Sequence, residues 1–232
     1  MPRSSVLLPV ALALMGCCAL AHAARPFVTD DARIVDPGGY QIESFIKHQR
    51  SVQENEFWFL PAWNPGSIVE LTLGGFALRT AEEGSANAVI AQVKTLLRPL
   101  RTNDFGFAVT VGGLRQEPLG SAEGAWGPFI NLISSLSAMD DAVVVHANVG
   151  LLDDRQSDVK RYTWGLGAEI ATTARLWVIA ETYNQEGDKP STQVGLRYWV
   201  VPNRMQVDGT FGAQHSEPQN RSWISIGVRI LF

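Results

Sequence analysis

From residue 40 to the end of the chain, large apolar side chains return at every second position in runs of about ten residues. Between the runs lie short stretches rich in Gly, Pro, Asn and Asp. A period of two places alternate side chains on opposite faces of a strand. The pattern predicts strands over residues 40–50, 56–64, 68–79, 87–98, 104–115, 127–138, 141–152, 161–172, 175–184, 191–201, 205–215 and 221–232. The second contains Pro61, which cannot donate to a ladder and belongs at an edge or irregularity. After residue 24 no run approaches the roughly 20 continuous apolar residues of a membrane helix.

Each strand has an unlike pair of faces. In 141–152, Val143, Val145, Ala147, Val149 and Leu151 oppose Val144, His146, Asn148, Gly150 and Leu152. In 205–215, Met205, Val207, Phe211 and Ala213 oppose Gln206, Asp208, Thr210, Gly212 and Gln214. A soluble sandwich would bury the apolar face, whereas a membrane barrel turns it to lipid. Connection lengths separate the two. Short ones (64–67, 99–103, 139–140, 173–174, 202–204) alternate with longer ones (51–55, 80–86, 116–126, 153–160, 185–190, 216–220), as in outer-membrane barrels. The expected fold is all-β, a transmembrane antiparallel up-and-down barrel of about twelve strands with both ends on the short-turn rim. It must close, because hydrocarbon offers no partner to an open edge. Tyr40, Phe105, Phe129, Tyr162, Trp164 and Tyr198 are placed as aromatic girdles.

The ends of the chain fit an export route. Residues 1–23 carry Arg3, an apolar run from Val6 to Leu20 and the small-residue site Ala21-His22-Ala23, the pattern of a signal peptide. Leu14-Met15-Gly16-Cys17 is a second reading, a lipobox that would leave Cys17 lipidated, but Met15 fits it poorly. Ordinary cleavage removes both cysteines and moves the formal charge from 19 − 23 = −4 to 18 − 23 = −5. A mildly acidic chain without a basic stripe is not a nucleic-acid binder. The final segment, Ile224 to Phe232, alternates and stops on an aromatic, resembling the C-terminal assembly signal of bacterial outer-membrane barrels. The expected organisation is a signal peptide (1–23), an N-terminal periplasmic segment (24–39) and an outer-membrane barrel (40–232). Its partners would be outer-membrane lipid, the barrel-assembly machinery and a small solute.

By parity the inward face collects the charges. Glu169, Glu181, Arg197, Asp208, Arg229 and Glu43 fall on six consecutive strands, counting the last as paired to the first, with Glu70, Lys94 and Lys47 further round. One reading is an ion-pair belt filling a narrow lumen, since buried charges need partners. The other is a constriction that selects permeants by charge and size. Inward Gly106, Gly112, Gly165, Gly195, Gly212 and Gly227 would leave space, and Trp177, Tyr183, Trp199 and Trp223 would line it or fill it. No G-x-S-x-G, H-E-x-x-H or Cys/His metal spacing is present, so neither catalytic residues nor a cofactor are assigned. His146 with Ser135 on the neighbouring predicted strand is the nearest approach to a base–nucleophile pair, and His48 and His215 lie by the longer loops.

Ahead of the first strand, Arg25, Pro26, Thr29, Asp30, Asp31 and Ala32 are followed by Asp36, Pro37, Gly38, Gly39 and a strand bearing Glu43. This stretch resembles the N-terminal motif of the outer-membrane barrels of the MetA pathway of phenol degradation. The resemblance implies a barrel that moves small, often aromatic, compounds across the outer membrane, and it supplies no catalytic residues. We expect residues 24–39 either to fold into the lumen, with Asp30 or Asp31 meeting Arg197 or Arg229, or to cap the rim. The functional expectation is a narrow channel or facilitator for small solutes. Its rivals are a sealed structural or surface-interaction barrel and, with least support, a hydrolase.

Overall fold

A computed structural model describes residues 28–50, 53–80, 84–117, 124–155, 158–214 and 221–232. The leader 1–23 with Cys17, the motif residues Arg25 and Pro26, and His215 lie outside the described residues. The alternating segments form β1 (Tyr40–Gln49), β2 (Glu54–Trp63), β3 (Val69–Thr80), β4 (Gly84–Arg98), β5 (Phe105–Gln116), β6 (Ala125–Ala138), β7 (Val143–Asp154), β8 (Val159–Ala171), β9 (Leu176–Gln185), β10 (Ser191–Val201), β11 (Met205–Gln214) and β12 (Arg221–Leu231). Every predicted segment is a strand; the largest boundary error is at the start of β4, which begins at Gly84 rather than residue 87.

Neighbours in sequence pair antiparallel, and β1 pairs with β12, so the sheet is a closed barrel. The seam extends to the last residue: Tyr40 N–H donates to the Phe232 carbonyl at 3.2 Å and Phe232 N–H to the Tyr40 carbonyl at 2.9 Å. Pro61 leaves its mark on β2. Its neighbour Ile42 keeps register across β1–β2, but the β2–β3 register skips Leu60 and Pro61. The glycines opposite let the chain approach: a Cβ on Gly74 would lie 2.3 Å from the Phe59 carbonyl oxygen, and one on Gly75 2.0 Å from that of Ala88.

Polarity is inverted relative to a water-soluble protein. Ile46, Phe59, Leu73, Val93, Val111, Leu132, Val149, Leu166, Val178, Val194, Phe211 and Ile226, one from each strand, are exposed on the outside. Lys94, His146, Glu169, Glu181, Arg197, Gln206, Asp208 and Arg229 are buried within. Hydrocarbon accommodates this exterior and water does not. Two expectations need correction. Phe129 is not a girdle residue: Ile130 and Leu132 take the outer face of β6, and the Phe129 ring lies 2.7 Å from where a Gly112 Cβ would stand, inside. The loops on the rim away from the chain ends are less uniformly long than predicted, although 117–124 exceeds every turn opposite. Connections 50–53, 81–83 and 155–158 are as short as the turns opposite, because strand pairing continues into the predicted loops, as with Thr80 and Gly84.

Adjacent turns on the chain-end rim are tied together. Asn103 Nδ2 donates to Asp140 Oδ1 at 2.6 Å and Asp140 N–H to Asn103 Oδ1 at 2.8 Å. In the same turn the Phe105 N–H, and after it the Arg98 guanidinium, hold the Asp104 carboxyl below its usual pKa.

Because the Gly75 Cβ position is filled by backbone, Gly75→Val is expected to prevent β3–β4 from closing. Refolded in detergent, it should lose the mobility difference between unboiled and boiled samples. Gly209→Ala, where the nearest atom is 3.7 Å away, should retain it.

Candidate functional site

The chain ahead of β1 runs inside the barrel. Residues 36–39 form the turn that leads out of it: Gly39 N–H donates to the Asp36 carbonyl at 2.8 Å, Pro37 takes the first central position, and Gly38 supplies the φ of 77° required at the second. Asn64, in the β2–β3 turn and fully buried, grips this corner. Its Nδ2 donates to the Val35 carbonyl at 2.7 Å, while its backbone bonds Gly38 at 2.8 Å and Gly39 at 3.1 Å.

Residues 28–35 form a strap across the lumen with no strand beside them, so their N–H groups must find side-chain acceptors. Glu181 on β9 accepts from Val28 N–H and Thr29 N–H, each at 2.8 Å. Asn148 on β7, its amide oriented by its neighbours, accepts Asp30 N–H at 2.6 Å and donates to the Asp30 carbonyl at 2.9 Å. Ser135 on β6 accepts Ala32 N–H at 2.9 Å, and Glu70 on β3 accepts Val35 N–H at 2.8 Å. Lys94 on β4 donates to Asp30 at 2.7 Å and to Asp31 at 3.2 Å. Fit is steric as well: a Cβ on Gly165 would sit 2.4 Å from Thr29 Oγ1, and Ala32 packs with Ala108 and Ile133.

Burying a carboxylate costs several kcal/mol, and bonds to an ionised acceptor return about 1.5–3 kcal/mol each. Glu181 meets this cost with three donors, Val28 N–H, Thr29 N–H and Gln193 Nε2 at 2.5 Å.

The remaining belt residues pair within the wall. Glu169 accepts Arg197 Nη1 at 2.7 Å; Arg229 donates to Gln41 Oε1 at 2.9 Å and lies 3.4 Å from Glu43. Asp208 is the register partner of Arg197 and packs over Gly227. Lys47 pairs with Glu56 at 2.7 Å, nearer the opposite rim. Asp30 and Asp31 make their direct ion pairs with Lys94, which stands nearer the strap, while Asp31 lies within electrostatic reach of Arg229, so the expected meeting with an arginine is at longer range than an ion pair. The inward glycines do not leave a pore: Leu100 packs on Gly106, Trp223 on Gly212 and Asp208 on Gly227.

Ser135, His146 and Glu169 form a hydrogen-bonded chain across β6, β7 and β8, with Ser135 Oγ 2.8 Å from His146 Nδ1 and His146 Nε2 3.1 Å from Glu169 Oε1. In the tautomer with Nε2–H donating to Glu169, Nδ1 accepts from the Ser135 hydroxyl, whose oxygen in turn accepts Ala32 N–H. All three side chains are buried beneath the strap, and the hydroxyl is engaged by the strap's own main chain. The Ser135–His146 pair is the one named from the sequence, whereas its extension to Glu169 and the amides Asn64, Asn148, Gln41 and Gln193 were not anticipated. Their shared signal was inward parity, which polar residues in a barrel have for many reasons.

Toward the chain-end rim, Val144, Trp177 and Trp199 form an apolar layer with Leu100 and Leu231. Toward the other rim a cavity of about 660 Å³ extends from the strap to Asp188 and Lys189. Phe45, Trp58, Tyr183 and Trp223 are on its wall, with Lys47 Nζ 5.2 Å from the Trp223 ring.

Residues 10–232 match the profile of the family described as Uncharacterised conserved protein UCP029691. The chain belongs to that family. No curated protein sequence matches it. Among solved structures, the chain is similar to a KdgM porin in complex with disordered oligogalacturonate: TM-score 0.58 and 12% identity over 82% of this chain and 98% of that one. It is also similar to the COG4313 outer membrane channel from Pseudomonas putida F1, with TM-score 0.58 and 10% identity over 87% and 98%. Outer membrane phospholipase A from Escherichia coli has TM-score 0.50 and 11% identity over 92% and 95%. At these identities the likeness is one of fold.

Replacing Lys94 with Met would leave Asp30 and Asp31 without their cation and loosen the strap. Thr29→Cys, placed in a leaderless chain, is buried and should react slowly with maleimide. Adding Lys94→Met should speed labelling at least about tenfold, equivalent to about 1.4 kcal/mol of docking.

Proposed function

We propose that the protein is an outer-membrane channel for small solutes, shut by its own N-terminal strap. The observation that carries this reading is that strap residues Val28, Thr29, Asp30, Asp31 and Arg33 stand inside the lumen as part of the lining of the 660 Å³ cavity, alongside the barrel wall. The strap is held by side chains and not by a ladder, so it can leave without breaking any strand pair. Several features support an outer-membrane setting. The apolar exterior suits hydrocarbon, the leader pattern suits export, and the fold is shared with porins and a channel. With short turns and both chain ends on the periplasmic side, the cavity opens to the exterior. Phe45, Trp58 and Trp223 fit aromatic or apolar solutes, in line with the N-terminal resemblance to barrels of the MetA pathway of phenol degradation. In this reading Glu70, Lys94 and Glu181 are latch residues, and Glu43, Glu169, Arg197, Asp208 and Arg229 set the lumen's charge once the strap is out.

A second reading, a sealed structural barrel, is favoured by the apolar layer of Val144, Trp177 and Trp199. Planar-bilayer conductance separates the two. The parent should be nearly non-conducting, and deletion of residues 25–36 should produce long-lived open steps. Gly165→Leu, which drives a side chain into the place of Thr29, should do the same with the chain at full length. Equal conductance in all three, each with heat-dependent mobility intact, would reject the gate, and equally negligible conductance would leave the sealed barrel.

A further inference from the structure

On the outside of the barrel, at the rim away from the chain ends, β1, β2 and β3 set three polar side chains in one row. His48 is the register partner of Asn55, and Asn55 is the register partner of Arg79. Directly opposed residues share a face, with Cβ atoms about 4.5–5.5 Å apart. Arg50 lies two positions beyond His48 and so continues on that face. His48 Nδ1 bonds Asn55 Oδ1 at 2.9 Å, which fixes the pair relative to each other.

One row lower, in the same register, stand Ile46, Phe57 and Ala77, and Phe59 follows on β2. Ile46 is 50%, Phe57 45% and Phe59 53% exposed. The polar row therefore marks the level where the apolar band gives way to headgroups. A cavity of about 460 Å³ opens there, lined by His48, Arg50, Gln53, Asn55, Arg79 and Thr80, with no carboxylate among them. Glu54 has the inward parity of Glu56 and faces the other way. Among the described residues Arg50 and Arg79 form no ion pair, as is also true of Arg101, Arg175 and Arg204 at the opposite rim; what sets these two apart is that both line one cavity above an apolar wall.

Two guanidinium groups lining one cavity directly above an apolar wall are complementary to an anion that carries its own hydrocarbon. We infer that this row docks a phosphate-bearing lipid headgroup of the outer leaflet. Each guanidinium is a planar fork that matches phosphate oxygens two at a time. The acyl chains of the same lipid lie along Ile46, Phe57 and Phe59. The headgroup thereby anchors the β1–β3 wall, the wall that carries Glu70 and Asn64 on its inner side. The inference rests on the membrane placement proposed above and is independent of whether the lumen conducts.

Native mass spectrometry of the refolded mature chain in detergent tests it, with a bisphosphorylated diglucosamine glycolipid and its dephosphorylated counterpart as probes. The parent should retain the phosphorylated lipid selectively. Arg50→Gln combined with Arg79→Gln should require about 30-fold more lipid for equal occupancy, on the scale of two arginines at an anionic surface. The Lys replacements at both positions should fall between, and Arg175→Gln at the opposite rim should match the parent. Equal retention by parent and double variant would overturn the assignment. Displacement by millimolar inorganic phosphate would show a free-anion site instead and overturn it too. Heat-dependent mobility, measured on every variant, reports the barrel itself, so loss of the membrane placement is read separately from loss of the lipid site.

Discussion

Closure of β1 on β12 is the constraint from which the rest of the molecule follows. A ladder that returns to its own beginning satisfies every strand by strand pairing, and it divides the side chains of each strand between an inner and an outer environment with no rim of compromise along the wall. Outside, the apolar residues need no specific partner. Inside, where the lumen of a twelve-stranded cylinder is narrow, polar and charged groups must satisfy one another or be satisfied by something placed among them.

The strap is what is placed among them. Its charges are few, but its main chain offers a file of donors, and the wall meets them with Glu181, Asn148, Ser135 and Glu70. Glu70 and Lys94 illustrate the exchange. They are register partners and would make an ordinary cross-strand ion pair. Instead the carboxylate receives Val35 N–H and the ammonium reaches Asp30 and Asp31, so the strap sits between opposite charges and is bonded to both. Such a segment is specified by geometry, since its main-chain donors meet wall acceptors at matching heights.

The strand count, the closure and nearly every facing were legible in the alternation, because a period of two is a local property and one-sided burial enforces it. Phe129 went astray because β6 begins with Trp126, Pro128 and Ile130 outside, and aromatic identity alone does not settle a face. The belt residues were also readable by parity. Their partners were not: whether Lys94 turns to Glu70 or to Asp31 depends on a segment that parity does not describe. The inward glycines misled for a related reason. Small residues look like empty space in a sequence, but a packed interior fills them from across the sheet, as Trp223 does over Gly212 and Thr29 at Gly165.

The strap's contacts span long stretches of chain: 153 positions separate Val28 from Glu181, and 103 separate Ala32 from Ser135. Its receptor is thus spread over β3, β4, β6, β7 and β9, none of which exists as a surface until the cylinder is nearly assembled, and ordering such a loop early would bring no compensating contact. Yet its root is Gly39, one residue from the Tyr40–Phe232 seam. The strap is therefore tethered at the joint where the two end strands meet, so a change that opened that joint would also release the hinge on which the strap hangs.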